Sequence, residues 1–276
     1  MHKKWIFAAS LLFALHTPWL HAACMQPTVL DGILKTNVDK EGYVDYDNIR
    51  INKGGDLYEF ISFIETVDLK KCTEIERTAF WINAYNAHAI RLVLARTQMK
   101  QLSEDFKLFG EKFKVAGHHF SLNDIEHRVM RSSTKKGGPI DGVSLKELDP
   151  RFHFALVSGA LGGPSLVNRA YTPANLEATL QANAVSFANA PKHVRIEGDT
   201  LFASSLMKWY AEDFAKLGGV SAYLISLIDP AKRTDAAAIV EKLKTDFPDK
   251  TQFRFDWTLN SVKNKPQPAP TSPEAE

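Results

Sequence analysis

Serine, histidine and asparagine side chains of this chain have the chemistry that acyl transfer requires. Ser158 is the candidate nucleophile, because it follows an apolar run and precedes a turn of small residues at 159–164. His127 or His153 would act as the base, and Asn83 would orient the base or stabilise an oxyanion. This set predicts a serine-dependent hydrolase or transferase as one possible function.

The local sequence does not complete such a site. The Gly-x-Ser-x-Gly elbow is absent around Ser158. If the apolar run before Ser158 is a strand, His153 and Ser158 point to opposite faces, because side chains alternate along a strand and the two residues are five positions apart. A base would then come from another part of the chain, with His88, His119 and His127 as candidates.

A second set of side chains favours binding of a small molecule or a peptide. The Arg151 guanidinium can bind a carboxylate or phosphate through two parallel hydrogen bonds. The alternative is that Arg151 pairs within the protein with Asp149 or Glu126. Aromatic side chains would supply apolar contact area. The residues predicted to bind a ligand are Trp81, Tyr85, Asn86, Glu126, Arg151 and Trp209.

The sequence gives little support for a metal or a cofactor, and we predict neither. It contains no Cys-x-x-Cys, no His-Glu-x-x-His and no glycine-rich phosphate loop with the required spacing. His118 and His119, together with Glu126 or His127, form the one alternative considered for a metal site. Adjacent histidines on a turn more often face solvent.

Composition restricts the class of protein. The chain has 276 residues, of which 45% are hydrophobic and 24% are charged, as in an ordinary globular protein. The formal net charge of +2 gives no reason to expect nucleic acid as a partner. After residue 23, no apolar run is long enough for a transmembrane helix, so the mature chain is expected to lack one.

The first 23 residues have the pattern of a secretory signal peptide. Lys3 and Lys4 precede a short apolar core, and small residues at 22–23 allow cleavage. The sequence therefore predicts a periplasmic or secreted bacterial protein. A membrane anchor is disfavoured by the short core, and lipid attachment at Cys24 is a minor alternative. Because the predicted compartment is oxidising, Cys24 and Cys72 are predicted to form a disulfide.

Periodicity predicts a helix-rich α+β domain over 24–262, built around one buried helix, with a small antiparallel sheet and a disordered Pro-rich tail at 263–276. A capping box at 73–76 opens the buried helix, which runs to about residue 95 with Arg91 as the only charge after residue 78. Asn83 and Asn86 share one face of it. Their amides either hold neighbouring loops by bonds to the backbone or face a substrate.

Other predicted elements follow from the same signals. They are helices at 27–38, 56–67, about 121–131, from 172–173 onward, 220–228 and 236–243, hairpins around Gly117 and over 194–202, and a strand at 252–257.

Taken together, the segments resemble the family called Domain of Unknown Function 547. The most specific one is Phe-Trp-Ile-Asn-Ala-Tyr-Asn at 80–86, and the others lie at 42–46, 121–127, 149–156, 169–172, 208–214 and 255–260. The resemblance implies the fold and the location of a site around residues 157–164, but no reaction.

The chain departs from the family at that site. Members of the family typically read Asn-Cys-Ala-Ser-x-Gly-Cys-Pro, whereas Val157, Ser158 and Gly163 stand here in place of the asparagine and the two cysteines. Because a thiolate is the stronger nucleophile, thiol chemistry is lost at this position. We therefore predict a binding or structural module of the cell envelope with a degenerate thiol site, and the Ser158-dependent enzyme is the alternative.

Overall fold

A computed structural model describes residues 24–96, 102, 107–132, 138–245, 247 and 251–266. The predicted signal peptide and residues 267–276 of the predicted tail lie outside them. Residues 263–266, at the start of that tail, belong to the folded body, because Lys265 forms ion pairs with Asp39 and Glu41.

The predicted α+β class is confirmed. The longer helices are α1 (Pro27–Asn37), α2 (Gly54–Ile64), α3 (Glu74–Leu94), α4 (Leu176–Asn189), α5 (Val220–Leu227) and α6 (Ala236–Leu243). The strands are β1 (Phe113–Val115), β2 (His118–Phe120), β3 (Val194–Glu197), β4 (Thr200–Ser204) and β5 (Gln252–Arg254). Short helical segments are Tyr46–Asn48, Ile49–Lys53, Leu69–Lys71, Lys107–Gly110, Leu122–Asp124, Ile125–Met130, Pro150–Phe154, Ser205–Trp209, Ala211–Leu217 and Val262–Asn264.

The predicted buried helix is α3, and its predicted start is confirmed. The Thr73 hydroxyl accepts a hydrogen bond from the Glu76 backbone N–H, and the Glu76 carboxylate accepts one from the Thr73 N–H. Every residue from 79 to 90 is buried. A helix that is buried all round must satisfy its polar side chains inside the protein, which fixes the loops around it.

Two hydrophobic cores meet at the segment Pro150–Phe154. Phe152 belongs to the core built on α1, α2 and α3, whereas Phe154 belongs to the core built on α4, α5 and α6. His153, between them in sequence, is only 2% exposed. The junction of the two cores therefore holds a buried polar ring.

The strands form two small sheets. β1 and β2 make the predicted hairpin at Gly117, whose φ of 78° suits glycine. β3 and β4 make the second predicted hairpin, and β5 adds to β4 in parallel, so this sheet is mixed. The predicted strand at 252–257 is wrong in its second half, because β5 ends at Arg254 and the carbonyls of Asp256 and Thr258 bond to the small-residue turn instead.

Two helices differ from the sequence prediction, one in where it starts and one in its geometry. Thr172 and Asn175 bond to each other across a turn, so the helix predicted from 172–173 begins at Leu176. The helix after Ser121 changes to π-helical geometry over Ile125–Met130. Among the residues described, no helix combines the length and the apolar character needed to cross a membrane.

The predicted disulfide between Cys24 and Cys72 is confirmed, and it closes a sequence separation of 48 residues. Restricting the unfolded chain by such a loop stabilises the folded state by about 4 kcal/mol in the chain-entropy model.

We expect the double variant Cys24→Ser/Cys72→Ser to lose about 2–4 kcal/mol in free energy of unfolding, measured by urea titration. Dithiothreitol should produce the same loss in the unmodified protein and none in the variant. Equal stability of the two oxidised proteins would show that the bridge contributes nothing.

Candidate functional site

An aromatic cleft of about 150 Å³ lies beside the segment Pro150–Phe154. Its mouth carries Trp209, Phe255 and Trp257, and its floor carries Glu126 and His153. The described residues that line it are Tyr85, Phe109, Asn123, Glu126, His153, Leu156, Ser158, Gly163, Pro164, Leu206, Trp209, Tyr210, Phe255 and Trp257. The cleft thus combines apolar walls with a few polar groups, as ligand sites commonly do.

The geometry of the chain before Ser158 corrects the sequence analysis. Asp149 accepts a hydrogen bond from the Arg151 N–H and Pro150 follows at the first position, so residues 150–154 form a 3₁₀ helix rather than a strand. The alternation argument that separated His153 from Ser158 is therefore wrong. Both residues line the same cleft.

The Asp213 carboxylate orients the His153 ring. The distance from His153 Nε2 to Asp213 Oδ2 is 2.7 Å. Arg131 donates to both oxygens of the same carboxylate, from Nε at 2.6 Å and from Nη2 at 2.8 Å. The His153 ring also stacks on Tyr210, with centroids 3.9 Å apart. With these contacts on one nitrogen and one ring face, the ring has a single orientation, and its Nδ1 faces Glu126.

These contacts determine the charge state of Asp213. Burial alone would raise its pKa, but the hydrogen bonds from His153 and Arg131 outweigh burial and lower the pKa to about 2. The carboxylate therefore stays ionised at neutral pH. It balances the charge of Arg131 and provides an acceptor for His153.

Glu126 is the acidic group of the cleft. It is 8% exposed, and its Oε1 lies 3.8 Å from His153 Nδ1. Burial, and next the charge of Glu126, raise the pKa of Tyr210 far above its ordinary value. Burial and the same charge raise the pKa of Tyr85. Both phenols thus keep their protons at neutral pH.

Three aromatic rings pack together at the mouth. Phe255 lies between the two indoles, with its centroid 5.0 Å from that of Trp209 and 4.4 Å from that of Trp257. Trp209 remains 44% exposed. A large apolar side chain left in solvent next to a cavity marks a surface that a ligand could cover.

The small-residue turn holds Ser158 at the edge of the cleft. The Leu161 and Gly162 N–H groups donate to the carbonyls of Thr258 and Asp256. A Cβ at Gly162 would lie 2.4 Å from the Asp256 nitrogen, so only glycine permits this close approach. A Cβ at Gly163 would lie 3.6 Å from Ser158 Oγ, and positions 158 and 163 are therefore neighbours in space.

Asn83 and Asn86 hold loops and do not line the cleft. The Asn83 amide bonds to both the N–H and the carbonyl of Tyr171. The Asn86 amide bonds to the Ala155 carbonyl and the Val157 N–H. This arrangement agrees with the loop-holding interpretation of the two amides. Asn86 thereby fixes the backbone immediately before Ser158.

Other residues considered for the site lie elsewhere. Trp81 is buried in the first core and packs edge-on against Phe120. His127 contacts Arg131, with Nδ1 3.1 Å from a guanidinium nitrogen. Arg151 forms ion pairs with Asp149 and Glu177, not with Glu126, and it does not line the cleft.

The residues that sequence analysis missed are Arg131, Asp213, Tyr210, Phe255 and Trp257. The last three are aromatic residues in the segments that carry the family resemblance, which was the available signal. Asp213 lies in one of these segments too, at 208–214, but its role did not show there, because its partners are 60 and 82 positions away. Among the described residues, no group of three or more His, Cys, Asp or Glu side chains has metal-binding geometry.

The lowered pKa of Asp213 predicts a pH dependence of stability. A carboxyl group whose folded-state pKa lies below the unfolded value of 3.8 stabilises the fold above that value, and this contribution disappears as the pH falls towards about 2. We expect the free energy of unfolding to drop by roughly 2 kcal/mol more between pH 5 and pH 2 in the unmodified protein than in Asp213→Asn. Asp229→Asn, which changes an exposed carboxylate, is the control. Parallel pH profiles for the protein and Asp213→Asn would contradict the assignment.

Comparison with known proteins adds one similarity. A search of curated proteins and a search of solved structures each found no match. Residues 69–188 match the model of a family described as "Protein of unknown function, DUF547". This span includes α3, Glu126, His153 and the small-residue turn, and it ends before Trp209 and Asp213. Over these residues the chain is similar to a family whose description states no function.

Proposed function

We propose that the protein is a binding module whose aromatic cleft takes one group of a small molecule or peptide. The observation that carries the proposal is the mouth of the cleft, where partly exposed Trp209 packs beside Phe255 and Trp257 above a polar floor. Tryptophan and tyrosine supply large contact areas and lose few rotatable bonds on binding, which makes them frequent in binding sites.

The volume sets the size of the bound group. A cavity of about 150 Å³ accepts a group the size of a benzene ring. A larger ligand would place one ring or a short side chain in the cleft and leave its remainder outside. This is the way a pocket takes one residue of a peptide.

The turn supports binding without thiol chemistry. Ser158 and Gly163 stand where the resembling family has cysteines, and the two positions are close in space. The hydroxyl of Ser158 would thus replace one thiol of a pair, and the hydrogen atom of Gly163 would replace the other. The remaining polar groups of the floor, Glu126 and His153, can still form hydrogen bonds with a ligand.

We further propose that this binding takes place in the bacterial periplasm or outside the cell. The residue pattern at 1–23 supports export. The bond between Cys24 and Cys72 agrees with it, because disulfides form and persist in oxidising compartments.

The binding proposal is tested by a thermal-shift screen of the purified mature chain against small aromatic compounds, amines, carboxylates and dipeptides. A compound that binds only the folded state raises the midpoint of unfolding. We expect Trp209→Ala to weaken binding of each hit at least tenfold. Tyr58→Ala, which removes an exposed aromatic ring from α2, should leave it unchanged. Hits that bind Trp209→Ala as tightly as the unmodified protein would show that the cleft is not the site.

One observation favours an enzyme as a second candidate. Ser158 and His153 line one cleft, and Asp213 holds the His153 ring as the third member of a catalytic triad would. In such a reaction, Ser158 Oγ would attack a carbonyl carbon and His153 would take the hydroxyl proton on Nδ1, since Nε2 is bonded to Asp213. The same Nδ1 faces Glu126, which favours binding over catalysis.

Assays with ester, amide and peptide substrates separate the two functions. We expect Ser158→Ala to have the same rate as the unmodified protein for every substrate. Ser165→Ala, at a serine of the next part of the loop that does not line the cleft, is the control. If turnover falls at least a hundredfold in Ser158→Ala and not in the control, the protein is a serine-dependent hydrolase or transferase and not a binding module.

A further inference from the structure

We infer that the group bound in the aromatic cleft is an ammonium group on a short apolar stem, held by Glu126. The inference rests on the proposed binding function and specifies the chemistry of its ligand. It reverses the sign of charge suggested by the sequence, in which Arg151 was to bind a carboxylate or phosphate.

Among the described residues that line the cleft, Glu126 is acidic and none is a lysine or an arginine. Arg151, the cation expected there, is engaged by Asp149 and Glu177 outside the cleft. A carboxylate or phosphate ligand would therefore meet Glu126 without a cation to balance it.

The nearest guanidinium does not bond to Glu126. The charge of Glu126 acts on Arg131, but Arg131 Nε and Nη2 donate to Asp213 and its Nη1 contacts His127. Among the described residues, no lysine or arginine forms an ion pair with Glu126, and the His153 ring lies 3.8 Å from it. A ligand cation would therefore have a carboxylate to pair with at the floor of the cleft.

Glu126 also has capacity for further hydrogen bonds. A carboxylate can accept about four, and Tyr210 lines the cleft together with it. His153 Nδ1 is 3.8 Å from Oε1, too far for a hydrogen bond. An ammonium group has three donors and no acceptor, so it complements this site.

The walls suit a cation as well. Tyr85 and Tyr210 line the cleft beside Glu126, and the indoles of Trp209 and Trp257 line its mouth. The faces of aromatic rings attract cations, most strongly those of tryptophan. Aromatic walls around one carboxylate can therefore select an ammonium over a neutral group of the same size.

A matched pair of probes tests this chemistry: 2-phenylethylammonium and 2-phenylethanol, which differ mainly in charge. Isothermal titration of the mature chain should show the ammonium binding at least tenfold tighter than the alcohol. Glu126→Gln should remove this preference while leaving binding of the alcohol unchanged. Glu65→Gln, at the end of α2, is the matched control and should keep the full preference.

The outcomes separate this inference from the proposed function. Equal affinities of the unmodified protein for the two probes would overturn the ammonium inference and leave a binding cleft of other chemistry. A preference that persists in Glu126→Gln would also overturn it. If neither probe binds, the inference fails, and the wider screen with Trp209→Ala decides the binding function by itself. Should Glu126→Gln not fold, the preference of the unmodified protein still decides, since it needs no variant.

Discussion

The Asp213 carboxylate is the interaction on which the arrangement of the site depends. It joins Arg131, which follows the segment Ile125–Met130, to His153 of the segment Pro150–Phe154. Asp213 itself lies in the segment Ala211–Leu217, so three separate stretches meet at one buried ion pair. If one of these segments moved away, one charge of the pair would lose its partner. That loss costs free energy, so the pair stabilises this arrangement of the segments. The positions of Glu126, Tyr210 and Trp209 follow from it.

A second constraint acts from the opposite side of the cleft. The turn at 159–164 bonds to residues 256–260, and the glycine at 162 lets the two backbones approach closely. The same bonds bring Phe255 and Trp257 to the mouth. Asn86 of α3 completes the frame, since its amide binds the backbone on either side of Leu156. Rigid backbone on both sides gives a cleft that exists before any ligand binds, which lowers the entropy lost on binding.

Local features of the fold could be predicted from the sequence because their causes are local. The capping box at Thr73 and Glu76, the hairpin at Gly117 and the buried character of α3 each depend on residues a few positions apart. The disulfide could be predicted from two cysteines in a chain whose first 23 residues have the pattern of a signal peptide. The apolar run before Ser158 resembles a strand, although Asp149 and Pro150 carry the signal of a helical turn.

The site itself could be predicted only in part. Glu126, His153, Ser158, Tyr85 and Trp209 do share one cleft, as expected from the family resemblance and the residue types. Arg151 pairs with Asp149, as the second interpretation of this residue expected, and Glu177, a residue 26 positions away, also binds its guanidinium. Asp213 lies in the resembling segment 208–214, but its role could not be derived, since an acidic residue in a charged segment looks the same whether it faces solvent or a buried histidine. The role of such a residue depends on contacts with residues far away along the chain, and a single sequence does not reveal those contacts.

A crystal structure of the mature chain soaked with 2-phenylethylammonium tests the central claim most directly. We expect the phenyl ring in the cleft between Trp209 and Tyr210, and the nitrogen within about 3 Å of a Glu126 carboxylate oxygen. The His153 ring should remain bonded to Asp213. An empty cleft at saturating probe, or a probe bound with its nitrogen directed away from Glu126, would contradict the account.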